Sequence, residues 1–272
     1  MHVVGSLSDV SPDPGPFAGR SAGLTRRPLV NRSVGSVHQD VVHCELAPGG
    51  RIDRHLHAFE EALYVLTGSL TAEVRDAREQ LLADGFLWVE VGVPHALVNT
   101  GTEPVTWLEV SAPIPGAAFA DTVFSDGPGA TPEVEFRRGR FDVGDLPEPS
   151  STLGLAGAGA SNVGGASVRM LVDPALGASQ FNLMTLRYVP GGAIKEHDHA
   201  FEEAFFFVEG EIEALLDGVT YTLRAGDFCW SGVGSMHALD NRSDAPVRWL
   251  ETQAPQPPGR HQFRYRGDWE VC

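Results

Sequence analysis

His197-Asp-His-Ala-Phe-Glu-Glu-Ala-Phe-Phe-Phe-Val-Glu-Gly210 decides the reading of this chain, because it occurs twice. The earlier copy is His55-Leu-His-Ala-Phe-Glu-Glu-Ala-Leu-Tyr-Val-Leu-Thr-Gly68, identical at eight of fourteen positions. The same ungapped offset pairs Pro48 with Pro190, Trp88 with Trp230, Gly92 with Gly234 and His95-Ala-Leu97 with His237-Ala-Leu239. It continues through Asn99 and Asn241 to Trp107-Leu-Glu109 and Trp249-Leu-Glu251. A match sustained over this length means a duplicated domain.

Each copy reads as strands. Leu63-Tyr-Val-Leu66 and Phe205-Phe-Phe-Val208 are short runs of β-formers, each closed by a glycine. Ala214-Leu-Leu and Val219-Thr-Tyr-Thr-Leu223 flank Asp217-Gly218, a two-residue hairpin signal. No amphipathic helix stands out, and many short strands with frequent turns predict an all-β sandwich or barrel. The expected layout is a mobile tail over residues 1–25, an N-terminal domain over 26–120, a link over 121–160, a C-terminal domain over 161–256 and an extension over 257–272. The tail and link are assigned from their Gly, Pro and Ser content, with Glu133–Phe136 as one added strand.

The 272 residues carry a formal net charge of −16. So acidic a surface argues against a nucleic-acid or anionic-membrane partner. Cys44, Cys229 and Cys272 are too few and too uneven for a disulfide framework, and the first two read as buried thiols. No apolar run reaches membrane-spanning length and no leader is visible, so the expectation is a cytoplasmic protein.

Residues i and i+2 of a strand point to the same face. His197 and His199 therefore present two imidazoles together, Glu203 keeps their parity beyond a bend, and His237 can join them from a later strand. His55, His57, Glu61 and His95 repeat the set. Three imidazoles and a carboxylate suit a divalent transition metal (Mn, Fe, Ni, Zn or Cu), up to two per chain, and leave coordination positions open for a substrate. Phe205 and Phe207 share the inward parity. Glu202 and Glu60 have the opposite one, Glu251 and Glu109 either contribute to proton handling from the last strand or, as the favoured reading, pair with cations at the surface, and Asn241 and Asn99 read as turn-fixing residues.

The spacing Gly-x5-His-x-His-x3-Glu-x6-Gly, carried here by Gly191 to Gly210 and Gly49 to Gly68, resembles the first motif of the cupins. The second cupin motif is similar to the run from Gly226 through Gly234 and His237 to Asn241, with Gly232 in place of a proline. The resemblance implies two tandem cupin barrels, of the double-stranded β-helix or jelly-roll type. In length and layout the chain looks like the ureidoglycine aminohydrolase group of bicupins. This implies manganese-dependent C–N hydrolysis of a small polar molecule in the C-terminal cupin, with Glu203 the catalytic carboxylate. The chain departs from that group in its ligand set and in having Thr252-Gln253 where the group carries Tyr-Lys. The alternatives are a quercetinase-like dioxygenase, which the three-His, one-Glu set resembles, a metal-assisted isomerase and a non-enzymatic ligand-binding cupin. The partner expected is a small-molecule substrate, and a homo-oligomer is compatible with the sequence.

Overall fold

A computed structural model describes residues 1–75, 77–116, 121–125, 137–149, 162–257 and 263–266. The described residues form strands and short 3-10 turns, with no α-helix among them. They divide into two units, one made of residues 10–33 and 37–142, the other of residues 1–9, 34–36 and 143–272.

The two units have the same antiparallel strand order. In the first it runs Arg137–Arg140, Gly85–Val89, Glu60–Thr67, Val105–Ala112, Asp40–His57, His95–Val98, Ser69–Val74, Ala77–Leu82. In the second it runs His2–Ser6, Asp227–Ser231, Glu202–Glu209, Val247–Ala254, Asn182–Asp198, His237–Asp240, Glu211–Leu216, Val219–Arg224. Ser21–Val30 and Thr122–Phe124 add to the long strand of the first, and Val163–Val172 and Arg264–Tyr265 to that of the second. Each sheet curls into a barrel, as the repeat predicts.

The long strands explain the curl. Asp40–Leu46 pairs with Val105–Ser111, and beyond Pro48-Gly49-Gly50 the same strand pairs with His95–Val98 instead. Asn99 clips this corner: Gly49 N donates to its carbonyl at 3.0 Å, and its own N donates to Gly50 O at 3.0 Å. Its Nδ2 also donates to Leu46 O and Glu103 O, both at 2.9 Å. Asn241 repeats the clip on Gly191, Gly192, Tyr188 and Ala245. The asparagines therefore fix the turn, as their position after the histidine suggests. Inside each barrel lies an apolar cluster, with Trp107 in one and Trp249 in the other fully buried. Asp217-Gly218 forms the expected hairpin, with positive φ at both residues (46° and 83°), which asparagine, aspartate and glycine tolerate best.

The ends of the chain depart from the sequence reading. Residues 1–25, expected as a tail, hold the strand His2–Ser6, the turn Gly15–Phe17 and the start of Ser21–Val30. The expected link over 121–160 holds the strands Thr122–Phe124 and Arg137–Arg140, while Glu133–Phe136 lies outside the described residues. The strand that precedes each copy completes the other copy's sheet. His2–Ser6 pairs with Asp227–Ser231, and Arg137–Arg140 pairs with Gly85–Val89. Composition hid these strands because their glycines are structural. A Cβ on Gly5 would lie 2.5 Å from the Phe228 ring, and one on Gly139 would lie 2.5 Å from the Phe86 ring. Removing residues 1–9 should destabilise the second unit by about 1–3 kcal/mol. In calorimetry one transition should fall while the other holds, and an unchanged profile would show this strand to be dispensable.

Candidate metal centres

One register shift in each barrel builds the centre. Along the pairing of Asp40–His57 with His95–Val98 the register slips between Ile52 and His55, which brings His55 opposite His95. The same slip between Ile194 and His197 brings His197 opposite His237. The i+2 rule then adds His57 and His199. In each group of three the potential ligand atoms lie within 4.8 Å of one another, and all six residues are buried. Glu61 and Glu203 close the sets. Glu61 lies 3.3 Å from His57 Nε2 and 3.0 Å from His95 Nε2, and Glu203 lies 2.9 Å from His199 Nε2 and 3.1 Å from His237 Nε2.

Backbone carbonyls fix the imidazole tautomers. His55 Nδ1 lies 2.7 Å from Asp53 O, His95 Nδ1 3.0 Å from Val93 O and His197 Nδ1 2.7 Å from Lys195 O. His199 Nδ1 lies 2.7 Å from Phe201 O and His237 Nδ1 2.9 Å from Ser235 O. A carbonyl only accepts, so each Nδ1 carries the hydrogen and each Nε2 turns a lone pair inward. His57 Nδ1 meets the Thr122 hydroxyl at 3.0 Å. Phe59 and Phe201, two residues past the second histidine, stack on His57 and His199 at centroid distances of 4.3 and 3.9 Å and hold those rings in plane.

The inward lone pairs need a cation. His57, His95 and His199 Nε2 are buried without an aligned hydrogen bond, although carboxylate oxygens stand about 3 Å away. Donor atoms that face one another in this way fit a metal ion. In its absence protons take that place. Burial works against a charged imidazole, but the Glu61 and Glu203 carboxylates prevail and raise His95 and His237. Burial, aided by the neighbouring imidazoles, drives His55 down to about 2 and His197 well below its usual value. Burial alone would raise Glu61 and Glu203, but their histidine neighbours outweigh it and hold both carboxyls well below the usual range. Ionised carboxylates and neutral imidazoles are the states that bind metals.

The cupin domain family matches the chain over residues 42–111 and 184–252, together about half of it. The chain belongs to the cupin family. A relative from Streptomyces glaucescens, tetracenomycin polyketide synthase protein TcmJ, is 34% identical over 131 residues, covering 47% of this cupin and 85% of the relative. Lactobacillus farciminis oxalate decarboxylase in its formate complex superposes with a TM-score of 0.69 at 17% identity, over 99% of this chain and 90% of that one. Bacillus subtilis oxalate decarboxylase, solved in work on its Mn(II) centers, gives 0.67 at 15% identity, over 98% and 80%. At these identities the two structures show the fold alone. The cupin at hand is thus a bicupin whose two three-histidine groups can each hold a metal ion.

Glu251 and Glu109 correct the sequence reading. Neither lies on the surface: they are 6% and 3% exposed. Trp249, Glu251 and Gln253 alternate inward along Val247–Ala254, the same period of two that brings His197 and His199 to one face. Trp249 Nε1 donates to Glu251 at 3.0 Å, and Gln253 Nε2 donates to Glu203 at 2.9 Å and to Glu251 at 3.2 Å. Burial first, then the adjacent Glu203 charge, push the Glu251 carboxyl well above its usual range. Glu251 lines a narrow cavity of about 20 Å³ with His197, Glu203, His237, Phe205 and Phe263, room for roughly one water-sized group. Glu202 faces away from the imidazoles, as its parity requires, and accepts from Ser36 Oγ at 2.6 Å and Trp230 Nε1 at 3.3 Å. Cys44 and Cys229 are buried, and burial raises both thiols well above the usual value.

Elemental analysis of the fully loaded cupin is expected to give two metals per chain, and one after replacing His197 and His199 with alanine. One metal in the unsubstituted protein would mean that a centre is inert. In metal-free protein Glu251 adds a pH dependence of definite sign. Its raised carboxyl keeps the proton in the fold and loses it in the unfolded chain above about pH 4.5, so its contribution falls as pH rises from there. Glu251→Gln removes that loss. Urea midpoints of variant and parent should therefore converge below about pH 4.5 and separate, with the variant more stable, as pH increases.

Proposed function

We propose that this bicupin is a metal-dependent enzyme that moves a proton on a small enolisable or phenolic compound in its C-terminal barrel. Glu251 is the observation that carries this reading: a buried carboxyl lining an apolar cavity next to the Glu203 carboxylate, bridged to it by Gln253, where burial and then the Glu203 charge push it well above its usual range. Manganese is the metal proposed, on the hard carboxylate in each donor set and the likeness in fold to the Bacillus subtilis oxalate decarboxylase with Mn(II) centers. A bound divalent metal supplies Lewis-acid stabilisation of negative charge on a substrate oxygen. His197, His199, His237 and Glu203 hold it in the C-terminal barrel, and His55, His57, His95 and Glu61 in the N-terminal one.

The chain's own groups do the rest. Phe205, Phe263 and Trp249 line the cavity with aromatic surface, exclude water and favour an unsaturated carbon skeleton. The cavity's size lets the substrate offer a single oxygen at its inner end. Glu251 delivers its proton from one carboxyl oxygen to the adjacent substrate atom and recovers it on the return step. Gln253, bonded to both Glu203 and Glu251, holds the two carboxyls in register. Glu203 stays ionised and serves as ligand, so proton transfer belongs to Glu251.

The cavity also speaks to the other reactions in view. No lysine or arginine stands among the described residues that line it. An oxalate or ureido-acid substrate brings a carboxylate, which the metal alone would have to neutralise here. The sequence relative TcmJ, a polyketide synthase protein by its printed name, supports a substrate with enol or phenol oxygens. In the manganese-loaded protein, Glu251→Gln is expected to slow solvent deuterium exchange into a bound β-diketone by about 10²–10⁴-fold while two metals remain bound. Ammonia release from ureido acids, or stoichiometric oxygen uptake with phenols, at rates above that exchange would replace this reading with hydrolysis or dioxygenation.

A further inference from the structure

The two barrels differ at one strand position that decides access to the metal. In the C-terminal barrel, Val168 on Val163–Val172 pairs with Leu186, and the space beside Glu251 is the cavity. In the N-terminal barrel the matching pair is Arg26 on Ser21–Val30 with Cys44. We propose that the N-terminal centre is a closed metal site, sealed by Arg26 and Phe17, and that external ligands enter only at the C-terminal centre. The proposal rests on both three-histidine groups holding a metal.

Four observations carry it. Arg26 runs inward to Glu109, the counterpart of Glu251, and donates from Nη2 to its Oε1 at 2.5 Å. Both side chains are nearly buried, at 11% and 4% exposure, so the guanidinium lies against Glu109, whereas the counterpart Glu251 borders a cavity in the other barrel. Phe17 is 2% exposed, and its ring lies 5.1 Å from the ring of His55 and 6.4 Å from that of His57; Phe263 stands in the same relation to the other centre, 5.3 Å from the ring of His197 and 6.0 Å from that of His199, so what sets the N-terminal barrel apart is the arginine held against this ring. The Arg26 guanidinium also sits over the Phe17 ring at 5.0 Å, a cation–π contact that locks the two together. The segment before Phe17 is fitted to this arrangement. Asp13 N donates to Arg26 O at 2.9 Å, and Gly15, at φ +55°, passes so close that a Cβ would lie 2.5 Å from Arg26 Nη1.

The chemistry follows. A metal in the N-terminal centre meets only protein donors on this side, with no free acid beside it, and acts as a structural ion. In the C-terminal centre the same ligand set opens on a cavity that Glu251 lines. A duplicated chain has kept two copies of one donor set and used them differently.

The test uses full-length protein with one centre at a time, through His197→Ala/His199→Ala and through His55→Ala/His57→Ala, loaded with Co(II) and titrated with azide. Metal analysis precedes the titration, so an N-terminal centre that takes up no cobalt refutes the metal reading and the proposal with it. The expected result is a saturable change in the visible spectrum of the protein that keeps the C-terminal centre. The protein that keeps the N-terminal centre should bind azide at least about tenfold more weakly, or not at all. Equal azide affinity at the two centres overturns the proposal. Adding Arg26→Val, which copies Val168, or Phe17→Ala to the N-terminal-only protein should restore azide binding. Variants that hold cobalt and stay silent show that the seal lies elsewhere and overturn the assignment to these residues. Water proton relaxation by Mn(II) in the N-terminal-only protein needs neither variant. No exchangeable water on the metal supports closure, and fast exchange rules it out.

Discussion

Three imidazoles and a carboxylate meet, buried, in the middle of each barrel, and this is the constraint that the structure is built around. An unpaired polar group in such a place costs on the order of 1–3 kcal/mol, and a bare charge more. The backbone relieves half of the problem by placing carbonyls on the Nδ1 hydrogens of His55, His95, His197, His199 and His237. The other half, the inward Nε2 lone pairs against the Glu61 and Glu203 oxygens, can be relieved only by positive charge. The slipped register, the asparagine clip at the corner of the long strand and the phenylalanines stacked on the histidines all keep these atoms converged. Loosening any of them lets the donor set drift apart.

On that shared frame the copies separate through the glutamate of the last inward-facing strand. Glu109 meets a guanidinium, so its charge is settled inside the protein. Glu251 meets another carboxylate, bridged by Gln253, so its charge is settled by a proton. A proton can leave and return, whereas an arginine cannot give up its charge at any ordinary pH. One carboxylate is thereby fixed in a structural role, and the other is left able to exchange with whatever enters the cavity.

The barrels and the two clusters of three histidines and a glutamate were legible in the sequence because they rest on local spacing. The period of two along a strand, the glycines that end the runs and the repeat offset are visible without knowing which strands pair. Choosing between the site and the surface for Glu251 and Glu109 needs that last step, since their side of the strand depends on Trp249 and Trp107 facing inward. Arg26 and Phe17 could not be found from spacing at all. Nothing in Ser21–Val30 announces that it lies over the metal ligands, and the Pro- and Gly-containing stretch before it looks like any loop. The strands His2–Ser6 and Arg137–Arg140 were missed for a related reason. Their partners lie about 50 residues away for one and more than 200 for the other, and their glycines answer to a phenylalanine on another strand.

The exchange of these strands bears on the order in which the chain can fold as it is made. Synthesis delivers residues in sequence, and domains fold as their last segment emerges. The sheet of the unit of residues 10–33 and 37–142 has all its strands once Arg137–Arg140 has left the ribosome, so it can close while its sister is still unwritten. His2–Ser6, made before it, has no partner in that unit and must wait as an open edge until Asp227–Ser231 arrives. An unpaired edge is a template for wrong pairing, and in the interval the nascent chain carries the cheapest safeguard available: a strand of five residues, interrupted by a glycine, with too little apolar surface to hold a stranger.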